Sequence, residues 1–580
     1  MEQFIIANLA PIMFGALVIF LLSGFPVAFS LAANGLFFGL VGIELGLLKP
    51  ELLQALPNRI FGIMGSENLL AIPFFTFMGL ILERSGMAED LLDTIGQLFG
   101  PIRGGVAYAV IFVGALLAAT TGVVAASVIS MGLISLPVML RYGYDKRLAS
   151  GVIAASGTLA QIIPPSLVLI VMADQLGKSV GDMYKAAFIP GLMLTAMYAG
   201  YVLALSIFKP HHVPALPLEA RNLREPNGDS GAMSLLFLVL GTVAVSYAFA
   251  LVWGASHPQL KSDELGIYAA AAGIALTFSF ALANRHLKLG LLSRMAEKVV
   301  FVLVPPLALI FLVLGTIFVG IATPTEGGGM GALGAIILAM LNGRLSWSLL
   351  KQAMNSTTRL SCFVMFILIG STVFALVFRG VDGDLWVEHL LTSLPGGVTG
   401  FLIVVNVMFF VLAFFLDFFE LAFILVPLVG PVANKLGIDL VWFGVLLGVN
   451  MQTSFMHPPF GFALFYLRSV APKEVKTSDI YWGAIPFVVI QVIMVSLIIA
   501  FPHLVSVEKK VDMDEQIELK IDAPASEAGK ADDDSTPDLN FSTDSDADAK
   551  TKGGDAAKKD DDTTPELNFS TDTDTEPKKK

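Results

Sequence analysis

The chain has 580 residues, of which 55% are hydrophobic and 14% charged, with a mean hydropathy of +0.76 and a formal net charge of −12. Soluble domains carry about 25% charged residues, so this composition excludes an ordinary soluble domain and indicates a membrane protein. Residues 508–580 hold 22 acidic and 11 basic residues, so the acidity belongs to the tail and does not describe the apolar body.

Apolar stretches recur along the chain at the length of a membrane span, about 20 residues. They lie at 4–22, 24–47, 60–84, 106–140, 148–173, 186–208, 232–254, 266–283, 298–321, 326–342, 358–378, 398–434, 441–468 and 481–502. Several are too long for one crossing or contain a helix breaker near the middle. We therefore predict an all-α polytopic membrane protein with bent or re-entrant helices.

The same pattern divides the chain into five segments. A first membrane repeat, 1–208, is followed by a polar, proline-bearing linker at 209–231 and by inserted transmembrane helices at 232–297. A second membrane repeat covers 298–505. The tail, 506–580, is acidic and contains one motif twice, as DDDSTPDLNFSTDSDADAK and DDDTTPELNFSTDTDTEPK. Because it has too little apolar surface to bury, we expect it to be disordered, with a docking segment as the alternative.

Two segments of the membrane body are copies of each other at a constant offset of 294 residues. The matched residues are Pro137 and Pro431, Gly143 and Gly437, Asp145 and Asp439, and the pairs Pro164-Pro165 and Pro458-Pro459. Basic residues crowd the turn of the first copy, and basic loops favour the cytoplasm. We therefore predict inverted repeats, with the first turn inside and the second outside.

Each proline pair interrupts an apolar stretch near its middle. Proline removes a backbone donor and clashes with the preceding turn, and carbonyls freed in lipid cost several kcal/mol unless they are satisfied. Broken helices at matching positions of two halves are typical of a transporter's substrate and ion site, where carbonyls bind Na⁺ and helix N-termini attract an anion. The structural alternative is a pair of packing kinks.

Other breakers mark further candidate segments. The stretch 60–84 and the run ATPTE at 322–326 each have the pattern of a re-entrant hairpin. Thr120-Thr121-Gly122 marks a bend in the run 106–140, and its counterpart in the second copy is Phe415-Leu416-Asp417. Since carboxylates inside spans are costly, Asp417 is the leading candidate for a Na⁺ or H⁺ ligand, against a structural role.

The sequence contains no convergent catalytic pair, and its one partial phosphate-loop match lacks the leading glycine, with Met172 in that place. We therefore predict that the chain is not an enzyme. Without a nucleotide-binding domain, its energy is expected to come from an ion gradient. His457, beside the second proline pair, is placed to contact substrate or carry a proton, with a satisfied structural histidine as the alternative.

Four motifs together resemble the large permease (DctM-type) subunit of the tripartite ATP-independent periplasmic (TRAP) transporters, in its long variant. They are ATPTE at 322–326, GTLAQIIPPS at 157–166, RYGYD at 141–145, and the run from Gly437 to Gly461. The resemblance covers most of 1–505. The chain departs from the family at His457, where many members have Thr, and at Thr121-Gly122-Val123, where many have Ser-Gly-Ser.

The resemblance implies an elevator of the ion-transporter superfamily that imports a small organic acid with Na⁺, in the bacterial inner membrane. The partners that it implies are a small four-helix membrane subunit (DctQ-type), a periplasmic binding protein (DctP-type) and the lipid bilayer. It implies no binding of nucleic acid. The substrate candidates are Asn68, Pro73, Gln161, Thr325, Gln452 and His457; the Na⁺ candidates are Thr120, Thr121, Gly122, Gly157, Pro164, Thr323, Pro324, Asp417, Asn450 and Pro458. The class of acid stays open among 2-oxo, hydroxy, aromatic and dicarboxylic acids. The alternative function is a self-sufficient Na⁺- or H⁺-coupled anion symporter or exporter.

Overall fold

The computed structural model describes residues 2–505 except 122–123, 224, 226–230 and 460. In this part of the chain every regular element is a helix. Nine of the described helices are long and apolar enough to cross a membrane, and three further helix pairs are bent by more than 40° at a short break, which is the form of a broken span or a re-entrant loop. The predicted all-α polytopic fold is confirmed, while the acidic tail with its duplicated motif lies outside the described residues.

The α-helices are numbered in chain order. They are α1 Glu2–Ala7, α2 Leu9–Leu22, α3 Val27–Glu44, α4 Glu51–Gln54, α5 Leu56–Met64, α6 Glu67–Arg84, α7 Met87–Phe99, α8 Gly105–Thr121, α9 Val124–Arg141, α10 Lys146–Thr158, α11 Leu167–Leu176, α12 Val180–Phe208, α13 Ala232–Ser256, α14 Ser262–His286, α15 Arg294–Val319, α16 Pro324–Leu341, α17 Trp347–Gly380, α18 Gly383–Thr392, α19 Gly397–Leu412, α20 Phe418–Ile424, α21 Val426–Lys435, α22 Leu440–Met451, α23 Phe462–Val470 and α24 Thr477–Ala500.

Helices of the first half of the chain pack against helices of the second half. α3 packs along α17 and α6 packs along α16, while α10 packs along α24 and α12 packs against α22. Glycines bring these helices close together: a Cβ at Gly151 would lie 2.1 Å from the Gly483 carbonyl oxygen, and one at Gly35 would lie 2.9 Å from the Phe374 backbone. Small residues allow such close approach in a membrane, so these glycines have a packing role.

Contacts at the ends of the broken helices show that the two copies run in opposite directions. At the start of α10, Lys146 Nζ donates a hydrogen bond of 2.8 Å to the carbonyl oxygen of Glu474, which follows α23. Leu176, at the end of α11, packs against Gly444 near the start of α22. The start of each broken helix therefore lies beside the end of the other, as inverted repeats require.

We call the end of the bundle that holds the start of α10 the basic end, and the end that holds Leu176 the far end. Asp145 N donates to the His212 carbonyl at 3.1 Å and Gly104 N donates to the Val213 carbonyl at 3.0 Å, so three loops meet at the basic end. Its basic residues are Arg103, Arg141, Lys146, Arg147, Lys209, Arg468, Lys473 and Lys476.

The two predicted hairpins, at 60–84 and at 322–326, have a different form. In 60–84 the break falls at 65–66, where the helix bends by 46°, and α6 continues through Pro73. Proline is tolerated there because neighbouring helices support α6, for example at Gly328 of α16, whose Cβ would lie 2.9 Å from Phe74. At 322–326, α15 and α16 have 26 and 18 residues, each long enough to span the membrane, and the turn between them is not re-entrant.

Candidate functional site

Both proline pairs lie in unwound breaks, as their sequence positions predict. The first broken helix passes from α10 into a 3₁₀ turn at Leu159–Gln161, and α11 begins only at Leu167. The second passes from α22 into a 3₁₀ turn at Gln452–Phe455, and α23 begins at Phe462. Each break leaves backbone groups outside the helical hydrogen-bond ladder, close to the middle of a membrane-length element.

One buried hydrogen bond joins the two breaks. Gln452 Nε2 donates to Thr158 Oγ1 at 3.0 Å, and both side chains are fully buried. Thr158 Oγ1 in turn donates to the Ala155 carbonyl at 2.8 Å. Thr158 and Gln452 are 294 residues apart, which is the offset of the duplication, so the bond connects equivalent positions of the two copies across their pseudo-twofold axis.

The break regions hold buried polar atoms without a partner among the described residues. These atoms are Ser156 Oγ, Gln161 Oε1, Gln452 Oε1, Ser454 Oγ, and Nδ1 and Nε2 of His457. Buried polar groups are normally hydrogen-bonded, and leaving one unpaired costs about 1–3 kcal/mol. Several unpaired neutral oxygens around one break pair are the chemistry expected of a site that a hard cation such as Na⁺ or a polar substrate fills.

His457 packs against two aromatic rings. Its ring stacks on Phe414 with centroids 4.0 Å apart, and it meets Phe410 edge to face at 4.5 Å. Asn450 Nδ2 donates to the carbonyl and side-chain oxygens of Asn406 at 2.8 and 2.9 Å. Since Phe410 and Asn406 belong to α19, the second break packs directly on the helix that leads to the turn before Asp417.

Asp417 caps a helix. Its Oδ1 accepts from Glu420 N at 3.0 Å, and Asp417 N donates to Glu420 Oε2 at 3.0 Å, which together form a capping box at the start of α20. This geometry provides the structural role that the sequence left as an alternative. A carboxylate accepting one backbone hydrogen bond keeps further lone pairs, so the same side chain can also ligate a cation.

A second group of candidates does not lie with the breaks. Thr325 Oγ1 donates to the Glu67 carbonyl at 2.6 Å, and Thr323 forms a capping box with Glu326. Asn68 and Pro73 belong to the same helix, α6, as Glu67. No hydrogen bond between described residues connects this group to either break. α15 and α16 are each long enough to span the membrane. The turn between them, which holds Thr323 and Pro324, therefore lies at the far end of the bundle and not at its middle.

The remaining candidates fall in three situations. Gln161, Pro164 and Pro458 lie in the breaks themselves. At Gly157 a Cβ would lie 2.3 Å from Val128, so this glycine allows α10 to approach α9. Gly122, and the side chains of the two threonines before it, lie outside the described residues.

Sequence reasoning missed Thr158, Ser156 and Ser454. The duplication contained a signal for the first, because the offset of 294 pairs Thr158 with Gln452. Within the part of the chain that the structure describes, no group of three or more His, Cys, Asp and Glu side chains is placed to hold a metal.

Comparison with known proteins gives a consistent result. The family model "Tripartite ATP-independent periplasmic transporter, DctM component" matches residues 14–504. The C4-dicarboxylate TRAP transporter large permease protein DctM of Pseudomonas aeruginosa is 27% identical, covering 79% of this chain and 89% of that protein. The sialic acid TRAP transporter permease protein SiaT of Haemophilus influenzae is 23% identical, covering 84% and 66%. Among solved structures, the Alcanivorax borkumensis YdaH transporter is 15% identical with a TM-score of 0.44, covering 79% of this chain and 91% of its own.

Proposed function

The chain belongs to the DctM family of tripartite ATP-independent periplasmic transporters, and from this premise we propose that it imports a small organic acid by Na⁺ symport. As a large permease subunit it is a transporter, not an enzyme, and a multi-pass protein of the inner membrane. Na⁺ coupling, the substrate and the mode of movement are the proposed parts.

The observation that supports Na⁺ coupling is the meeting of the two breaks. The Thr158–Gln452 hydrogen bond joins them, and the side chains of Gln161, Gln452 and Ser454, which lie in the same two breaks, have unpaired oxygens among the described residues. Hard cations prefer oxygen ligands, and unwound backbone at the repeat interface of transporters supplies them. The N-termini of α11 and α23, which follow the breaks, present positive dipole ends to an anion.

An ion gradient is sufficient to drive this transport. Two Na⁺ ions moving down ~150 mV and a tenfold concentration gradient release about 10 kcal/mol, at about 2.3 kcal/mol per charge per 100 mV. A monoanion moving against that potential takes back ~3.5 kcal/mol. The remainder supports roughly 10⁴-fold accumulation, at about 1.4 kcal/mol per tenfold ratio.

We place the basic end in the cytoplasm by the positive-inside rule, so that the far end faces the periplasm. In the proposed elevator, the helices that carry the breaks move across the membrane against the α3–α17 and α6–α16 pairs. The match to the DctM component implies a tripartite system. We propose a four-helix DctQ-type membrane subunit and a periplasmic DctP-type binding protein as the other components.

The substrate class rests on the relatives and on the chain's length. Relatives are named for C4-dicarboxylates and for sialic acid, which are both carboxylates. The two inserted helices α13 and α14 indicate the long variant, which favours 2-oxo, hydroxy or aromatic acids beside dicarboxylates. A carboxylate is the property that all of these candidates share.

Reconstitution tests the proposal. A thermal-shift screen on the purified binding protein first identifies an acid that it binds. Proteoliposomes containing this chain and the small subunit, with that loaded binding protein outside, are expected to accumulate the acid only under an inward Na⁺ gradient. Accumulation driven equally by a proton gradient with Na⁺ absent would overturn Na⁺ coupling, and uptake by the chain alone would favour the self-sufficient symporter.

A further inference from the structure

A polar cavity of about 410 Å³ lies at the far end of the bundle, apart from the breaks. Its wall is formed by α5, α6, α11, α17 and α21, and it includes Arg59, Arg379, Asp174 and Ser371. A volume of this size is within the range of small-molecule sites, about 300–1,000 Å³. The bend of 46° between α5 and α6 lies in its wall, where Ser66 lines the cavity.

The charges of the cavity favour an anion. Arg59 and Arg379 both line it, and neither guanidinium has an ion-pair or hydrogen-bond partner among the described residues. Asp174 is the one acidic residue among the described lining residues, and its Oδ2 accepts from Gln175 Nε2 at 2.9 Å. Two cations and one anion leave the lining with a net charge of +1. Guanidinium groups recognise carboxylates through paired hydrogen bonds.

Backbone donors add to this preference. α6 begins at the cavity, and the side chain of its N-cap residue, Ser66, makes no capping hydrogen bond. The first backbone N–H groups of α6 therefore keep their hydrogen-bonding capacity beside the two arginines. The positive end of the helix dipole has the same sign as the guanidinium charges.

The cavity also reaches the duplicated body. Ser371 of α17 donates a hydrogen bond to the Phe423 carbonyl of α20, and Pro427, in the first turn of α21, lines the cavity. α20 and α21 form a bent pair with an angle of 51°. One wall thus belongs to helices that flank the second break, and the opposite wall belongs to α5, α6 and α17.

We infer that this cavity is an outer anion site, which receives the carboxylate of the organic acid at the periplasmic face before the acid reaches the breaks. The inference rests on the proposed function for its direction and for its ligand class. The two unpaired arginines attract and hold the carboxylate, and the α20–α21 wall connects that site with the moving part of the transporter.

Cysteine labelling tests the charge of the cavity without requiring transport. Gly62 lines the cavity, and a Cβ there meets no heavy atom within 4 Å, so Gly62→Cys is accommodated. The single native cysteine is exposed and is removed by Cys362→Ser. In spheroplasts, the reaction rate of Gly62→Cys is measured with externally added anionic sulfonatoethyl and cationic trimethylammonioethyl methanethiosulfonates.

Relative to the same ratio for a small free thiol in solution, the anionic-to-cationic rate ratio at Gly62→Cys is expected to be raised. Arg59→Gln with Arg379→Gln is expected to lower this ratio on the order of tenfold. Replacing both arginines by lysine is expected to preserve the ratio. Arg359→Gln is the matched control, because Arg359 lies on α17 about 30 Å from Arg379 at about 1.5 Å per residue. A ratio unaffected by neutralising both arginines overturns the inference.

Protection experiments identify the source of the anion. Succinate or pyruvate is expected to slow labelling of Gly62→Cys at least twofold, and this protection is expected to vanish in the Arg59→Gln, Arg379→Gln variant. In purified protein, slowing by phosphatidylglycerol vesicles but by neither acid would overturn the organic-acid site and assign the cavity to a lipid headgroup. If neither the acids nor the vesicles slow labelling, the cavity is not an anion site. Normal protection without Na⁺-dependent uptake would count against the proposed function alone.

Discussion

Replacing Gln452 by leucine separates a structural from a functional role of the hydrogen bond between the breaks. Gln452 is fully buried, its Nε2 donates to Thr158 Oγ1 at 3.0 Å, and its Oε1 has no partner among the described residues. If Oε1 binds Na⁺, leucine removes an ion ligand. If the residue is only structural, leucine removes a buried unpaired carbonyl and one hydrogen bond.

The structural cost of this change is small. The lost hydrogen bond contributes about 1 kcal/mol, and removing an unpaired buried carbonyl returns about 1–3 kcal/mol. Thr158 keeps its donation to the Ala155 carbonyl. Without Na⁺, we expect the free energy of unfolding of Gln452→Leu to equal the wild-type value or to exceed it by up to about 2 kcal/mol.

The effect of Na⁺ is expected to differ. An ion at about 100 times its dissociation constant stabilises the folded state by about 2.7 kcal/mol, and a roughly hundredfold weaker site reduces this to about 0.4 kcal/mol. The assay is the thermal midpoint of the purified chain in detergent, with NaCl titrated against choline chloride at constant ionic strength. The wild-type midpoint is expected to rise with Na⁺, and that of Gln452→Leu is expected to stay nearly constant.

Gln491 supplies a matched control. It is also fully buried, its Nε2 donates to the Tyr198 hydroxyl at 2.9 Å, and its Oε1 is likewise unpartnered among the described residues. Gln491 lies in the continuous helix α24, and it reaches the breaks only indirectly, through the Tyr198 hydroxyl, which is also hydrogen-bonded to Thr158. Gln491→Leu is expected to keep the full Na⁺ response. A full Na⁺ response in Gln452→Leu, or an equal loss in both variants, would refute the reasoning.

Three further changes test other parts of the structure. Asp417→Asn is expected to abolish Na⁺-dependent uptake while the Na⁺-free thermal midpoint stays within a few degrees, because Asn caps helices about as well as Asp; unchanged uptake and Na⁺ affinity would remove Asp417 from the site. Gly151→Ala is expected to lower stability by about 2 kcal/mol or more, since the new Cβ would lie 2.1 Å from the Gly483 carbonyl, whereas Gly200→Ala has open space; equal thermal midpoints would contradict this packing. Deleting 512–580 is expected to leave uptake within about twofold, measured in the same proteoliposomes, and a larger loss would assign the tail a role in transport.

Features that depend on local chemistry were predictable from the sequence. Proline pairs interrupt helices through their own missing N–H groups, so the breaks around Pro164 and Pro458 were foreseen from residue type alone. The inverted arrangement followed from the duplication and from the basic residues of one turn. The same local reasoning could not locate the bend in 60–84, which falls at 65–66, because whether α6 continues through Pro73 depends on the neighbouring helices that support it.

Span length and proline chemistry act over a few turns of one helix, so the polytopic helical fold and its two matched breaks follow from local sequence. Which residues meet at those breaks depends on how distant helices pack. The Thr158–Gln452 bond joins positions 294 residues apart, and the cavity of Arg59 and Arg379 is assembled from helices widely separated in the chain. The position of Thr323 and Pro324 at the far end is likewise a tertiary property. The depth of a turn in the membrane depends on how far the two helices beside it extend across the membrane.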